Sequence, residues 1–202
     1  MISNGGIGVL ATDTIYGLVG SALSKKAVAK IYKLRQRNTK KPMIILIGAI
    51  KDLFLFGIKL DGKTKKLLNK FWPGKISVIL PCLHKKFFYL HRGTKTLAFR
   101  LPAVVSASVK ATADKKALAD KSAGKPAKKN LIKLLKLTGP LVAPSANPEG
   151  LPPAKTIKQA QKYFGNKIDF YVDEGKLSSK PSTLAAIKNG QIIIKRKGAV
   201  KI

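Results

Sequence analysis

Cysteine is almost missing from this sequence: its 202 residues include one, Cys82. A lone thiol excludes an intrachain disulfide and any zinc site built from cysteines. Cys82 reads as a small core residue rather than a nucleophile. Histidine is nearly as scarce, with His84 and His91, and nine residues are acidic. That donor set argues against a dedicated metal cage. Long apolar runs are lacking too. The longest, Met43 to Ile50, is far below the roughly 18 residues that a membrane-spanning helix needs. The opening apolar run, Ile7 to Ala11, is too short for a secretory leader. A cytoplasmic protein with no membrane partner is expected.

The shortage of acids makes the charge unusual. Charged residues amount to 24% and hydrophobic residues to 45%, as in an ordinary globular chain, yet the formal net charge is +31. Within the cations, arginine is rare: 35 lysines stand against five arginines. The lysines are scattered, which fits a lysine-biased composition. Nucleic-acid contact or an anionic ligand would also suit the charge.

The length suits one domain over residues 1–202. Ile7 to Ala11 reads as a buried strand, followed by Thr12, Asp13 and Thr14. Asp13 is either a hydrogen-bonded turn residue or a catalytic acid, and the turn is the simpler reading. Ser24 caps a helix to Arg35, with Ala27, Val28, Ile31 and Leu34 at helical spacing. Met43 to Ile47 is a strand. Ile50 to Phe56 and Asp61 to Trp72 read as helices, the second ended by Pro73-Gly74. Ile76 to Leu80 and Thr96 to Leu101 are strands. Between them His84 to Arg92 is a basic-aromatic loop, suited to burial against the body or to stacking bases. Residues 103–130 hold eight alanines, seven lysines and no aromatic residue, and read as an insert with a surface helix near Ser108 to Lys121 or no fixed structure. A helix at Leu131 to Leu137 and a short strand at Leu141 to Ala143 follow. Thr156 caps a helix to Phe164, and Phe170 to Asp173 is a strand. Asn189-Gly190 joins Ser182–Ile187 to Gln191–Lys195 as a hairpin. Strands alternate with helices and a hairpin closes the chain, so the fold class is α/β with a mixed, twisted sheet and flanking helices.

Arginine placement is the chemical signal. Arg35 and Arg37 follow the first helix, Arg100 ends a strand and Arg196 ends the last one. A chain that otherwise uses lysine reserves the planar guanidinium for bidentate contact with carboxylate or phosphate. The hydroxyls of Thr12 and Thr14 at a strand end suit the same pocket.

Three motifs carry a family resemblance. A-T-D-T-I-Y-G-L (11–18) with I-Y-K-L-R-Q-R-N-T-K-K-P-M-I-I-L (31–46) resembles the opening of the YrdC family, the threonylcarbamoyl-AMP synthases. L-V-A-P-S-A-N (141–147) resembles its Ser-x-Asn signature, and Q-I-I-I-K-R-K-G-A-V (191–200) its closing strand. The resemblance implies a YrdC-like sheet with a concave basic face. It matches Arg35, Arg37, Ser145 and Asn147 to the catalytic K-x-R and S-x-N positions. Thr14, Arg100, Ala143 and Ser182 match positions that contact L-threonine. Arg37, Lys41, Thr96, Ser145 and Arg196 match positions that contact ATP. A structural turn remains the other reading of Ser145 and Asn147. Departures from the pattern are Ala11, Pro153 and Lys197, with Arg35 for the usual lysine and Pro181 for a glutamate.

The implied reaction carboxylates the threonine amine with bicarbonate or CO2, then transfers adenylate from ATP and releases pyrophosphate. Mg2+ would come with ATP, held mainly by phosphates and water. The product would pass to threonylcarbamoyl-transferase proteins for N6-threonylcarbamoyladenosine formation in tRNA. Contact with tRNA or double-stranded RNA is the associated expectation. A nucleic-acid-binding module without synthase activity is the competing class. A third reading is a related domain acting on carbamoyl phosphate.

Overall fold

In the computed structural model, residues 1–103, 128–188 and 190–201 are described. The expected insert helix and Asn189 lie outside them. Nine strands form one sheet: β1 (Ile7–Ala11), β2 (Tyr16–Ser21), β3 (Ile44–Leu46), β4 (Ile76–Pro81), β5 (Thr96–Arg100), β6 (Leu141–Val142), β7 (Phe170–Tyr171), β8 (Thr183–Lys188) and β9 (Gln191–Arg196). Their order is β7-β1-β2-β6-β3-β5-β4-β8-β9. The β1·β7, β3·β5 and β4·β8 pairs are parallel and the others antiparallel, so the sheet is mixed as expected.

The two faces of the sheet are covered unequally. Leu18, Ile45, Val78, Phe99 and Ala185 point into the main core. Helix α1 (Lys25–Arg35) packs there through Ala27, Val28, Ile31 and Tyr32. Burying each of the larger side chains contributes about 1.5–3 kcal/mol. Ser24 caps it, its Oγ accepting from the Ala27 N–H at 3.2 Å. Gly20 permits this close docking, since a Cβ there would lie 2.9 Å from Ile7 Cγ2 and 3.2 Å from Ile31 Cδ1. The same face takes a 3-10 turn at Ile50–Phe56, α2 (Gly62–Asn69) and α3 (Phe88–His91).

On the opposite face, α4 (Lys128–Thr138) places Leu131 and Leu135 against Leu10, Val19, Leu46 and Leu141. Ile44 lies at the margin of this cluster, and Ala98 and Leu184 project from the same face beyond it; all three are half-buried. A cavity occupies this part. Helix α5 (Ile157–Phe164), capped by Thr156, closes the end near β7.

Several local readings change. The strand β2 is not anticipated, because Gly17 and Gly20 weaken its strand signal. Residues 50–56 form a 3-10 rather than an α-helix. Helix α2 stops at Asn69, and the N–H groups of Phe71 and Trp72 both bond back to the Leu68 carbonyl. The basic-aromatic loop folds inward: Phe87, Leu90 and His91 are buried, while Phe88 is 59% exposed. Cys82 is buried, its thiol donating to the Phe56 carbonyl at 3.5 Å, and burial pushes its pKa up.

Candidate active site

The turn between β1 and β2 is clasped by Thr12. Its Oγ1 donates to the Ile15 carbonyl at 2.7 Å and accepts from the N–H groups of Thr14 and Ile15 at 3.3 Å. A further hydrogen bond at 3.1 Å joins the hydroxyls of Thr12 and Thr14. Thr12, not Asp13, is therefore the local turn former. Asp13 reaches across the sheet instead: its Oδ1 lies 2.9 Å from Arg100, and its Oδ2 accepts from the Ala103 N–H at 3.3 Å. Arg100 also donates to Thr12 Oγ1 at 3.4 Å.

The segment 143–147 is zipped onto β2. The Leu18 N–H donates to the Pro144 carbonyl, and the Ala146 N–H to the Tyr16 carbonyl, each at 2.9 Å. This fixes Ser145 opposite Gly17. Arg35, buried at the end of α1, locks onto this turn. Its Nε donates to the Asn147 carbonyl at 2.8 Å, and its terminal nitrogen reaches Ser145 Oγ at 3.2 Å and Asn147 Oδ1 at 3.4 Å. Past a left-handed Gln36, Arg37 donates to the carbonyls of Lys41 and Pro42. From the far edge, Arg196 donates to the Ser182 carbonyl at 2.8 Å, and Ser182 shares a 2.9 Å hydroxyl bond with Ser77. Gly198 lets the chain after β9 cross Ser182, where a Cβ would lie 2.5 Å from the Ser182 carbonyl.

These groups surround a cavity of about 170 Å³. Thr14, Arg35, Arg37, Arg100, Ala143, Ser145, Ser182 and Arg196 all line it, joined by Thr12 and Ile44. Three named candidates do not. Asn147 is buried behind Arg35 and donates to the carbonyls of Pro148 and Leu151. Lys41 pairs with Glu149 at 2.6 Å. Thr96 shares a face of β5 with Ala98 and Arg100 but sits at the strand's other end, its hydroxyl 3.3 Å from that of Thr94. Two residues that the sequence reading had not assigned also shape the site. Asp13 balances Arg100, and Ser77 supports Ser182. Ser77 had a faint signal, as a polar residue at a buried position of an apolar strand.

Among the described residues no carboxylate lines the cavity, and the cations there repel one another. Burial lowers the Arg35 pKa to about 10, with Arg37 adding to the drop. Arg100 is lowered by burial; Asp13 opposes this and Arg196 reinforces it. Burial and Arg37 lower Arg196. Arg35 stays protonated at neutral pH, and the described lining makes the cavity a concentrated, under-compensated positive site. An anion bound there would relieve the repulsion. Among the described residues no cluster of three or more His, Cys, Asp or Glu could cage a metal ion. No helix among them is long and apolar enough to cross a membrane.

The chain is 30% identical over 208 residues to a protein of Methanocaldococcus jannaschii named as a candidate threonylcarbamoyl-AMP synthase, covering 100% of this chain and 84% of that protein. It is 28% identical over 195 residues to the threonylcarbamoyl-AMP synthase of Hahella chejuensis, covering 96% and 93%. Pyrococcus abyssi Sua5, crystallised with L-threonine, superposes with a TM-score of 0.76 at 25% identity, covering 98% of this chain and 52% of that one. The family Sua5_yciO_yrdC, described as "Telomere recombination", matches residues 1–198, and the chain belongs to this Sua5/YciO/YrdC family.

Proposed function

We propose that the protein is a threonylcarbamoyl-AMP synthase, acting on L-threonine, bicarbonate or CO2, and ATP. One observation carries this reading. Arg35 and Arg37 from the end of α1, Arg100 from β5 and Arg196 from β9 come to one cavity that also holds the hydroxyls of Thr14, Ser145 and Ser182. Such a site suits two anions at once, an amino-acid carboxylate and a polyphosphate. The named relatives and the threonine-bound neighbour support the choice of substrates.

In this reading Arg100 and Thr14 hold the threonine carboxylate, and Ser182 and the Ala143 backbone complete its pocket. The neutral threonine amine attacks CO2, forming an N–C bond and losing a proton. A carbamate oxygen then attacks the α-phosphorus of ATP, and pyrophosphate leaves. Arg35, Arg37 and Arg196 neutralise charge on the reacting phosphate, with Ser145 as a hydrogen-bond donor. Thr96 and Lys41, which do not line the cavity, are assigned to the rest of the nucleotide by the family resemblance alone. Alignment and charge neutralisation carry this chemistry without a covalent nucleophile. Mg2+ would neutralise phosphate charge. The donor set fits an ion held by phosphate oxygens and water, because Asp13, the carboxylate beside the cavity's Arg100, is already committed to that arginine. The product would serve tRNA modification through separate transferase proteins in the cytoplasm.

Pyrophosphate release tests the proposal, measured with each of L-threonine, bicarbonate and ATP omitted in turn. Release should require all three. Arg37→Ala and Ser145→Ala should each lower it about a hundredfold. Release that continues without threonine, or is absent in the complete mixture, would overturn the reading.

A further inference from the structure

Arg92 is the one arginine outside the cavity and outside the family motifs. It sits in left-handed backbone, with φ of 51°, at the end of α3. Its guanidinium carbon lies 4.3 Å from the centre of the Tyr32 ring. Stacking of this kind orients the guanidinium plane but occupies none of its donors. Its Nε is buried with no hydrogen-bond partner among the described residues. Tyr32 is fixed in turn, donating to the Lys41 carbonyl at 3.0 Å, the same carbonyl that receives Arg37 Nε at 3.1 Å. The two guanidinium groups are thus referenced to one backbone oxygen.

Arg92 borders a second hollow of about 420 Å³, with Tyr32, Lys33, Gln36, Arg37 and Thr39. Among the described residues it holds three cations and no carboxylate. Arg37 lines both this hollow and the main cavity. The end of α1 contributes a partial negative charge of about half a unit, which three full positive charges outweigh. Arg92 already covers a face of Tyr32, so that face is closed to a stacked base, whereas guanidinium edges and Lys33 remain suited to phosphate oxygens.

We propose that this hollow is a phosphate site that takes the leaving pyrophosphate, with Arg92 and Lys33 receiving it as it passes Arg37. The choice of pyrophosphate over other phosphates rests on the synthase reading; the anion site itself does not. Arg92 then governs product affinity, not the chemical step.

Calorimetric titration of the full chain with inorganic pyrophosphate tests this, using wild type, Arg92→Gln and Arg92→Lys, with L-threonine titrated on the same samples. Arg92→Gln should weaken pyrophosphate about tenfold or more, Arg92→Lys should recover part of the loss, and threonine affinity should not move. Equal pyrophosphate affinity in wild type and Arg92→Gln would overturn the proposal. So would a wild type that binds threonine but no pyrophosphate. Pyrophosphate binding that depends on Arg92 in a protein without threonine binding would keep the phosphate site and sink the synthase reading instead.

Discussion

Arg100 is held by Asp13 at 2.9 Å and by Thr12 at 3.4 Å, on a strand 88 residues further along the chain from Thr12. Both members of the ion pair are buried, so each is tolerable only because the other is present. Asp13→Ala should therefore destabilise the fold by about 3–5 kcal/mol, read from urea unfolding, because it strands a guanidinium. Asp13→Asn, which keeps a polar partner, should cost less. A loss below about 1 kcal/mol in Asp13→Ala would mean that Arg100 has another way to be satisfied. The same pair marks a limit of sequence reading. Aspartate between two threonines looks like a local turn former, and nothing nearby announces a partner so far along the chain. The arginines were legible for the opposite reason: with only five in the chain, four placements at element ends stood out against a lysine background. Lys41 belongs to the motif by position, yet Glu149, more than a hundred residues away, claims its ammonium.

At the scale of elements, capping and periodicity made α1 and α5 readable, since Ser24 and Thr156 both cap as their residue types suggest. The strand β2 was not, because its glycines serve close packing, a tertiary demand that local propensity does not register. The joint between β1, α1 and the turn before β7 was also hidden. There Asp169 accepts from the Ile7 N–H at 2.8 Å and pairs with Lys30 at 3.4 Å. The Ile7 N–H, followed by Lys30, lowers the Asp169 pKa below its ordinary 3.8. A carboxyl whose folded pKa is depressed adds stability above its unfolded value and loses it as pH falls through the folded one. The contribution of Asp169 is thus present above 3.8 and disappears below it. Asp169→Asn should lower Tm at neutral pH and flatten the loss of Tm below about pH 4. Wild type and variant with parallel acid limbs would show that Asp169 does not carry this coupling.

For the whole molecule, the balance of charge governs behaviour more than any single pair. The described residues form three ion pairs, whereas the chain carries a formal net charge of +31. Net repulsion of that size opposes compactness, and salt screens it over about 8–10 Å at physiological ionic strength. Raising NaCl from about 0.05 to 0.5 M should therefore raise Tm, at roughly 2–4 °C per kcal/mol gained. A falling Tm would mean that the few attractive pairs outweigh the repulsion. The mixed sheet was readable at this scale from alternating strands and helices. Its strand order was not, because β6 inserts between β2 and β3 only through pairing that no short stretch of sequence specifies.

The cavity takes Thr14 from the turn after the first strand and Arg196 from the end of the last. Among the described strands β9 lies at the edge of the sheet, paired with β8 alone, and it is largely exposed. Fraying of that hairpin therefore removes a wall of the cavity while leaving the opposite wall intact. Any anion gripped by Arg196 must in turn hold the hairpin down. Slow amide exchange along the sheet edge and retention of the anion are thus two readouts of one opening equilibrium.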